Sequence, residues 1–96
     1  MPNANEAGLK SPISKVITES TLIKTGCGRL RQIIVTSSKL DSATIEILDN
    51  IEDANPVLVR QFTAVSSTIY KFADVTFGTG LYIVVGGLLN ATVFYF

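Results

Sequence analysis

Residues 77–96 restrict the fold of this chain more than any other segment. They contain two runs rich in β-branched and aromatic residues, 81–85 and 91–96, and the five residues between these runs include two glycines and an asparagine. This composition is typical of two strands joined by a turn and disfavours one continuous helix. The sequence therefore predicts a β-hairpin that completes a sheet.

Hydropathy alone would also fit a membrane anchor in residues 80–96. A helix that crosses the hydrocarbon core of a bilayer needs about 20 mostly apolar residues. This segment is shorter, and Gly86, Gly87, Asn90 and Thr92 interrupt it. We therefore predict no membrane partner.

The same strand-and-turn composition recurs along residues 13–96. Gly, Pro, Asn, Asp and Ser cluster between runs rich in Ile, Val and Thr, and no window keeps apolar residues at helical spacing. A helix is predicted nowhere beyond a single turn at residues 51–54. About eight short strands are predicted, at residues 14–18, 21–24, 30–37, 43–49, 57–62, 67–72, 81–85 and 91–96.

Alternation of apolar and polar residues predicts the two faces of several strands. Ile45 and Ile47 should point inward with Thr44 and Glu46 outward, and Tyr70 and Phe72 should share the face opposite Ile69 and Lys71. Residues 30–35 do not alternate, which indicates a central strand buried on both faces. We predict an all-β chain with a single β-sandwich, of jelly-roll or immunoglobulin-like type, with about eight short antiparallel strands.

The length of 96 residues allows one domain. Residues 1–12 lack periodicity and are predicted to form a flexible N-terminal arm, which leaves residues 13–96 for the β-sandwich domain.

The charge balance bears on possible partners. Eight basic and eight acidic residues cancel, and no segment gathers a basic run, so nucleic acid is not a predicted partner. Charged residues make up only 17% of the chain and apolar residues 47%, against about 25% charged in typical soluble domains. Part of the apolar surface is therefore predicted to face another protein.

Several reactive residue types are scarce or missing. The chain has no His, so the commonest general base and metal ligand is absent. Its single cysteine, Cys27, excludes an intrachain disulfide and favours a reducing compartment. Residues 1–11 lack the pattern of a secretory signal, so synthesis in a cytoplasm is expected. We predict that the protein is not an enzyme and has no catalytic, cofactor-binding or metal-binding residues.

Three groups of residues offer alternatives to this prediction. The carboxylates of Asp41, Glu46, Asp49, Glu52 and Asp53 could in principle act in glycoside hydrolysis, and those of residues 49–53 could hold calcium. Because Asp and Asn in loops commonly bond to nearby backbone, and because this run lacks the EF-hand pattern, a structural role is favoured for both.

The segment 26–29 superficially offers an anion site, but no helix follows it, so a simple turn is favoured; Cys27 there has no base to activate it. A sugar-stacking platform is the third alternative, although most of its aromatic residues are predicted to be core. They are Tyr70, Phe72, Phe77, Tyr82, Phe94, Tyr95 and Phe96.

Four segments resemble a pattern found in small structural proteins of tailed bacteriophages. They are TGCGRL at residues 25–30, IIVTS at 33–37, TIEILDN at 44–50 and FGTGLYI at 77–83, followed by a glycine pair and a closing strand. The resemblance covers about residues 21–96 and consists of strand and turn signatures without a catalytic residue.

The resemblance implies a virion structural protein, such as a capsid decoration or cement protein. Such a protein would self-associate as a dimer or trimer and bind the lattice of the major capsid protein on the capsid surface, with its terminal arm across a neighbouring subunit. A fibre or tail accessory protein, or a carbohydrate-binding module for host recognition, is the alternative that the sequence leaves open.

Overall fold

A computed structural model describes residues 12–38 and 43–96, and these residues contain eight β-strands. The predicted arm, residues 1–12, lies outside the described residues except for Pro12. All eight predicted strands are confirmed, with shifts of one or two residues at their ends except for β6, which extends to Phe77 instead of ending at residue 72. The strands are β1 (Ile13–Ile17), β2 (Thr21–Thr25), β3 (Gly28–Ser38), β4 (Thr44–Leu48), β5 (Val57–Thr63), β6 (Thr68–Phe77), β7 (Gly80–Gly86) and β8 (Leu89–Tyr95).

The strands form two antiparallel four-stranded sheets. Sheet A has the order β1-β8-β3-β6, and sheet B has the order β2-β7-β4-β5. One hydrophobic cluster contains side chains from both sheets, among them Ile33 and Val93 of sheet A and Ile47 and Ile83 of sheet B. The chain therefore has the all-β, β-sandwich-like fold that the sequence predicts.

The predicted closing hairpin is wrong, although both of its strands are present. β7 pairs with β2 and β4 in sheet B, whereas β8 pairs with β1 and β3 in sheet A. Both strands are central, so each has its two edges occupied by other partners. The glycine-containing connection carries the chain from one sheet to the other, with Gly87 at a φ of 85°, where glycine is favoured.

The predicted faces of β4 and β6 are confirmed. Ile45 and Ile47 are fully buried, while Thr44 and Glu46 lie half-buried on the outer face. On β6, Tyr70 and Phe72 pack against the core, and the two residues that alternate with them are exposed.

The prediction for residues 30–35 is right about position and wrong about burial. β3 is central in sheet A, and Leu30, Ile33 and Val35 are fully buried. On its outer face, however, Arg31 is exposed and Ile34 is half-buried, because no second layer covers that face within the described residues.

A bulge explains why β6 is longer than predicted. Leu30 pairs with Val75 and Gln32 pairs with Lys71, so β6 accommodates extra residues opposite this short stretch of β3. Ala73 and Asp74 adopt positive φ values of 53° and 55° within it. A strand that is interrupted in this way loses its alternation of apolar and polar residues. Its second half is therefore not predicted by the sequence.

Candidate interaction surface

An arginine-rich area lies at the end of the outer face of sheet A where β3 begins and β8 ends. The guanidinium carbons of Arg29 and Arg31 lie 4.7 and 4.9 Å from the ring centroid of Phe96. Arg29 and Phe96 are backbone partners through reciprocal N–H to oxygen bonds of 3.3 and 2.8 Å. The pairing of β3 with β8 thus holds two cations against one aromatic ring, a favourable arrangement.

Arg31 is also held by the bulge in β6. Its Nε and second terminal nitrogen donate to the two carboxylate oxygens of Asp74 at 3.1 and 3.2 Å. The hydrogen bond from Arg31 lowers the pKa of Asp74, and the same bond raises the pKa of Arg31. The bidentate pair fixes the plane of the guanidinium group.

Two lysines extend this positive area. The Nζ atom of Lys24 donates to the backbone oxygen of Phe96 at 3.3 Å. Lys71 lines a shallow depression of about 300 Å³ together with Arg31, Gln32 and Asp74. We call Lys24, Arg29, Arg31, Lys71 and Phe96 the arginine patch.

The outer faces of both sheets carry rows of mostly apolar residues that run across all four strands. On sheet A the register aligns Val16, Thr92, Ile34 and Ile69, and its edge residues Val16 and Ile69 are 69% and 53% exposed. On sheet B the register aligns Leu22, Tyr82, Leu48 and Val57, where Leu48 is buried. Exposed apolar surface of this kind commonly marks a protein contact.

A second depression, of about 620 Å³, lies at the opposite end of the molecule from the arginine patch. Its lining includes Thr18, Glu19, Ser37, Leu88 and Asn90. Hydroxyl, amide and carboxylate groups there offer hydrogen bonds to a polar ligand. No histidine is available to activate one of these hydroxyls as a nucleophile, because the chain has none.

The carboxylates considered for glycoside hydrolysis and calcium binding do not converge on one site. Asp41 lies outside the described residues, Glu46 lies on the outer face of β4, and Glu52 and Asp53 are exposed in the β4–β5 loop. Among residues 12–38 and 43–96, no group of three His, Cys, Asp or Glu side chains is placed to hold a metal ion.

Asp49 has a structural role different from the local one expected. Its carboxylate accepts hydrogen bonds from the backbone N–H groups of Gly78, Thr79 and Gly80, with the shortest, from Thr79, at 2.8 Å. The bonds from Gly78 and Thr79 lower the pKa of Asp49. This carboxylate therefore ties the β4–β5 loop to the β6–β7 turn.

The glycine segment forms a turn, as predicted. Gly26 has a φ of 92°, and its N–H donates to the backbone oxygen of Thr79 at 2.9 Å. Cys27 is exposed in this turn.

The aromatic residues are divided among different surroundings. Phe77 and Tyr95 are core residues. Tyr70 packs on Phe62, with ring centroids 4.8 Å apart, and its hydroxyl donates to the backbone oxygen of Thr63. Tyr82 lies in the row on sheet B, whereas Phe94 and Phe96 lie on the outer side of sheet A. Phe72 packs against the core, with its ring centroid 6.3 Å from that of Phe62. The seven residues therefore form no common platform.

The arginine patch is not predicted by the sequence. The sequence signs of the patch are an Arg-x-Arg pair at the start of one strand and three consecutive aromatic residues at the end of another. These residues indicate a common surface only when β3 and β8 are known to be neighbours.

No protein-family model, curated protein or solved structure matches this chain. None of the described residues belongs to a helix long and apolar enough to cross a membrane. Residues 80–96, which hydropathy alone would fit to an anchor, form β7 and β8.

Proposed function

We propose that this protein is a non-enzymatic structural component of a phage virion, a decoration or cement protein that binds the major capsid lattice on the capsid surface. The observation that carries the proposal is the apolar row on sheet A. Val16 and Ile69 at its two ends are large, apolar and mostly exposed, and Ile34 connects them across the sheet. A sheet face with such a row suits attachment to another protein surface.

The strand order supports a finer description of the fold as a jelly roll. In sheet order β1-β8-β3-β6 and β2-β7-β4-β5, the first strand lies next to the last and the second lies next to the seventh. This nested order of eight strands in two sheets is the one we expect of a jelly roll. Jelly rolls are common in viral capsid and lectin domains. Fold alone does not specify function, so the proposal depends on the exposed row.

In the proposed mechanism, the row on sheet A contacts the capsid and the copies associate with one another as a dimer or trimer. The protein is made in the host cytoplasm and functions in the virion. Repeated weak contacts then act together, since many tethered copies bind a lattice more strongly than one copy does.

Replacing both Val16 and Ile69 by aspartate should weaken capsid binding by at least about tenfold. Two carboxylates in a contact that excludes water lose hydration without gaining partners. The measurement is co-sedimentation of the purified chain with capsids from a phage that lacks its gene. Both residues lie on exposed positions of edge strands, so the melting temperature should change little.

Val57→Asp is the matched control, because Val57 is a partly exposed valine on β5, the edge strand of sheet B. This variant should bind capsids as the unmodified chain does. Failure of the unmodified chain to bind capsids would contradict the proposed function, and full binding by the double variant would exclude the row on sheet A as the attachment surface.

A further inference from the structure

Charge is distributed unevenly over this neutral chain. Most of the basic side chains in residues 12–38 and 43–96 belong to the arginine patch, with Asp74 as the acidic member of that area. Acidic residues concentrate instead in the β4–β5 loop, at Asp49, Glu52 and Asp53. A surface divided in this way is complementary to a second copy of itself.

The β4–β5 loop presents a short apolar and acidic tip. Ile51 is 48% exposed, and Glu52 and Asp53 follow it on the surface. Neither of these two carboxylates has a side-chain hydrogen bond or ion pair in the described part of the chain. We call residues 51–53 the acidic tip.

Hydrogen bonds order the acidic tip before any partner arrives. The Asn50 side chain donates from Nδ2 to the backbone oxygen of Asn55 at 2.8 Å, and its Oδ1 accepts from the N–H of Ile51 at 2.7 Å. Asp49 fixes the base of the loop to the β6–β7 turn through its backbone hydrogen bonds. Little loop entropy remains to be lost when the tip binds.

The arginine patch is ordered as well, and part of its charge is available. Arg31 is occupied by Asp74, whereas Arg29 contacts Phe96, is attracted to the carboxylate of Asp74 and makes no side-chain hydrogen bond within the described residues. Lys71 is exposed in the same depression as Arg31. The patch therefore offers cations for the carboxylates of the tip.

We propose that the acidic tip of one copy binds the arginine patch of the next copy, with Glu52 paired to Arg29. This inference rests on the self-association included in the proposed function and identifies its contact. Among the described residues the two regions make no ion pair with each other, although Lys24 of β2 lies near Ile51, where both residues approach Gly80. Two copies can form this contact reciprocally as a two-fold dimer, or each copy can contact the next one in a closed ring.

A charge-reversal experiment tests this pairing. Arg29→Glu and Glu52→Arg should each weaken self-association by about tenfold or more, because each places like charges opposite one another. A chain that carries both substitutions should recover most of the loss, since the pair is restored with reversed polarity. Sedimentation equilibrium at several protein concentrations measures the association constant, which should also fall as salt rises from about 0.05 to 0.5 M.

Arg60→Glu is the matched control, because Arg60 is an exposed arginine on β5 outside the patch. It should leave association unchanged. Lys71→Glu provides a second test of the patch that leaves the contact of Arg29 with Phe96 in place, and it should weaken association too.

Three results would overturn the inference: a wild-type chain that stays monomeric at the highest concentrations, single reversals that leave association intact, or a combined reversal that fails to recover it. Capsid co-sedimentation of the same variants shows whether only the tip-to-patch contact is wrong or the proposed function is wrong as well. A monomer that still binds capsids would exclude the tip-to-patch contact and retain the decoration role.

Discussion

Replacing Ile33 by alanine should lower the free energy of unfolding by about 2–5 kcal/mol. Ile33 is fully buried on β3, where it pairs with Tyr70 on one side and Val93 on the other. Alanine there removes apolar contacts and leaves a cavity that the two sheets cannot close without distortion. Because small domains are stabilised by only about 5–15 kcal/mol in total, the loss should be clear in urea denaturation followed by circular dichroism.

Ile34→Ala is the matched control for this prediction. Ile34 is the next residue, has the same side chain and lies half-buried on the outer face of sheet A. Its replacement should cost less than about 1.5 kcal/mol, since less apolar surface is removed from the interior. Equal losses for the two variants would contradict the assignment of inner and outer faces to β3.

The contrast between Ile33 and Ile34 also shows what the sequence could predict. Strand positions follow from local chemistry, because β-branched residues favour extended backbone and residues such as Gly26 and Asn50 favour turns. The eight strands could therefore be predicted. Whether an uninterrupted apolar run such as 33–35 is covered on one face or two depends on layers that are distant in sequence.

Strand pairing also depends on contacts that are distant in sequence, so it could not be predicted. Residues 81–85 and 91–96 are close in sequence and joined by a turn, which predicts a hairpin. In the structure, burial of Leu81 and Ile83 on one sheet and Ala91 and Val93 on the other is achieved by placing the two strands in different sheets. Composition cannot distinguish these arrangements, since both give each strand the same apolar and polar alternation.

The arginine patch and the β6 bulge were hidden for related reasons. Arg29 meets Phe96 only through the pairing of β3 with β8. Ala73 and Asp74 adopt positive φ values without a glycine to indicate it. Because positive φ is uncommon for alanine, an Ala-Asp pair predicts the end of a strand rather than a bulge within it.

Asp49→Asn should lower the free energy of unfolding at pH 7 by about 1–3 kcal/mol. The carboxylate accepts from the N–H groups of Gly78, Thr79 and Gly80, and hydrogen bonds to a charged acceptor are stronger than those to a neutral amide. The amide also brings its own N–H group close to backbone donors that need an acceptor. Loss of this tie should release the β4–β5 loop from the β6–β7 turn, which hydrogen exchange at residues 78–80 would detect.

The effect should depend on pH in a defined direction. The backbone hydrogen bonds from Gly78 and Thr79 lower the pKa of Asp49 in the folded state, so the unfolded chain binds this proton more readily. The stability from Asp49 is therefore fully present above its unfolded pKa of about 3.9 and is lost as the pH falls through the lower folded value. The difference between the wild type and Asp49→Asn should be constant near neutral pH and shrink below about pH 4.

Asp53→Asn is the control for charge and for position in the loop. Asp53 is exposed in the same loop and makes no side-chain hydrogen bond within the described residues, so its replacement should leave the free energy of unfolding nearly unchanged at pH 7. If both variants lost equal stability, the effect would come from net charge rather than from the contacts of Asp49. A loss for Asp49→Asn that stayed constant down to about pH 2 would equally contradict the assigned role, because protonation would then leave the hydrogen bonds of the wild type intact.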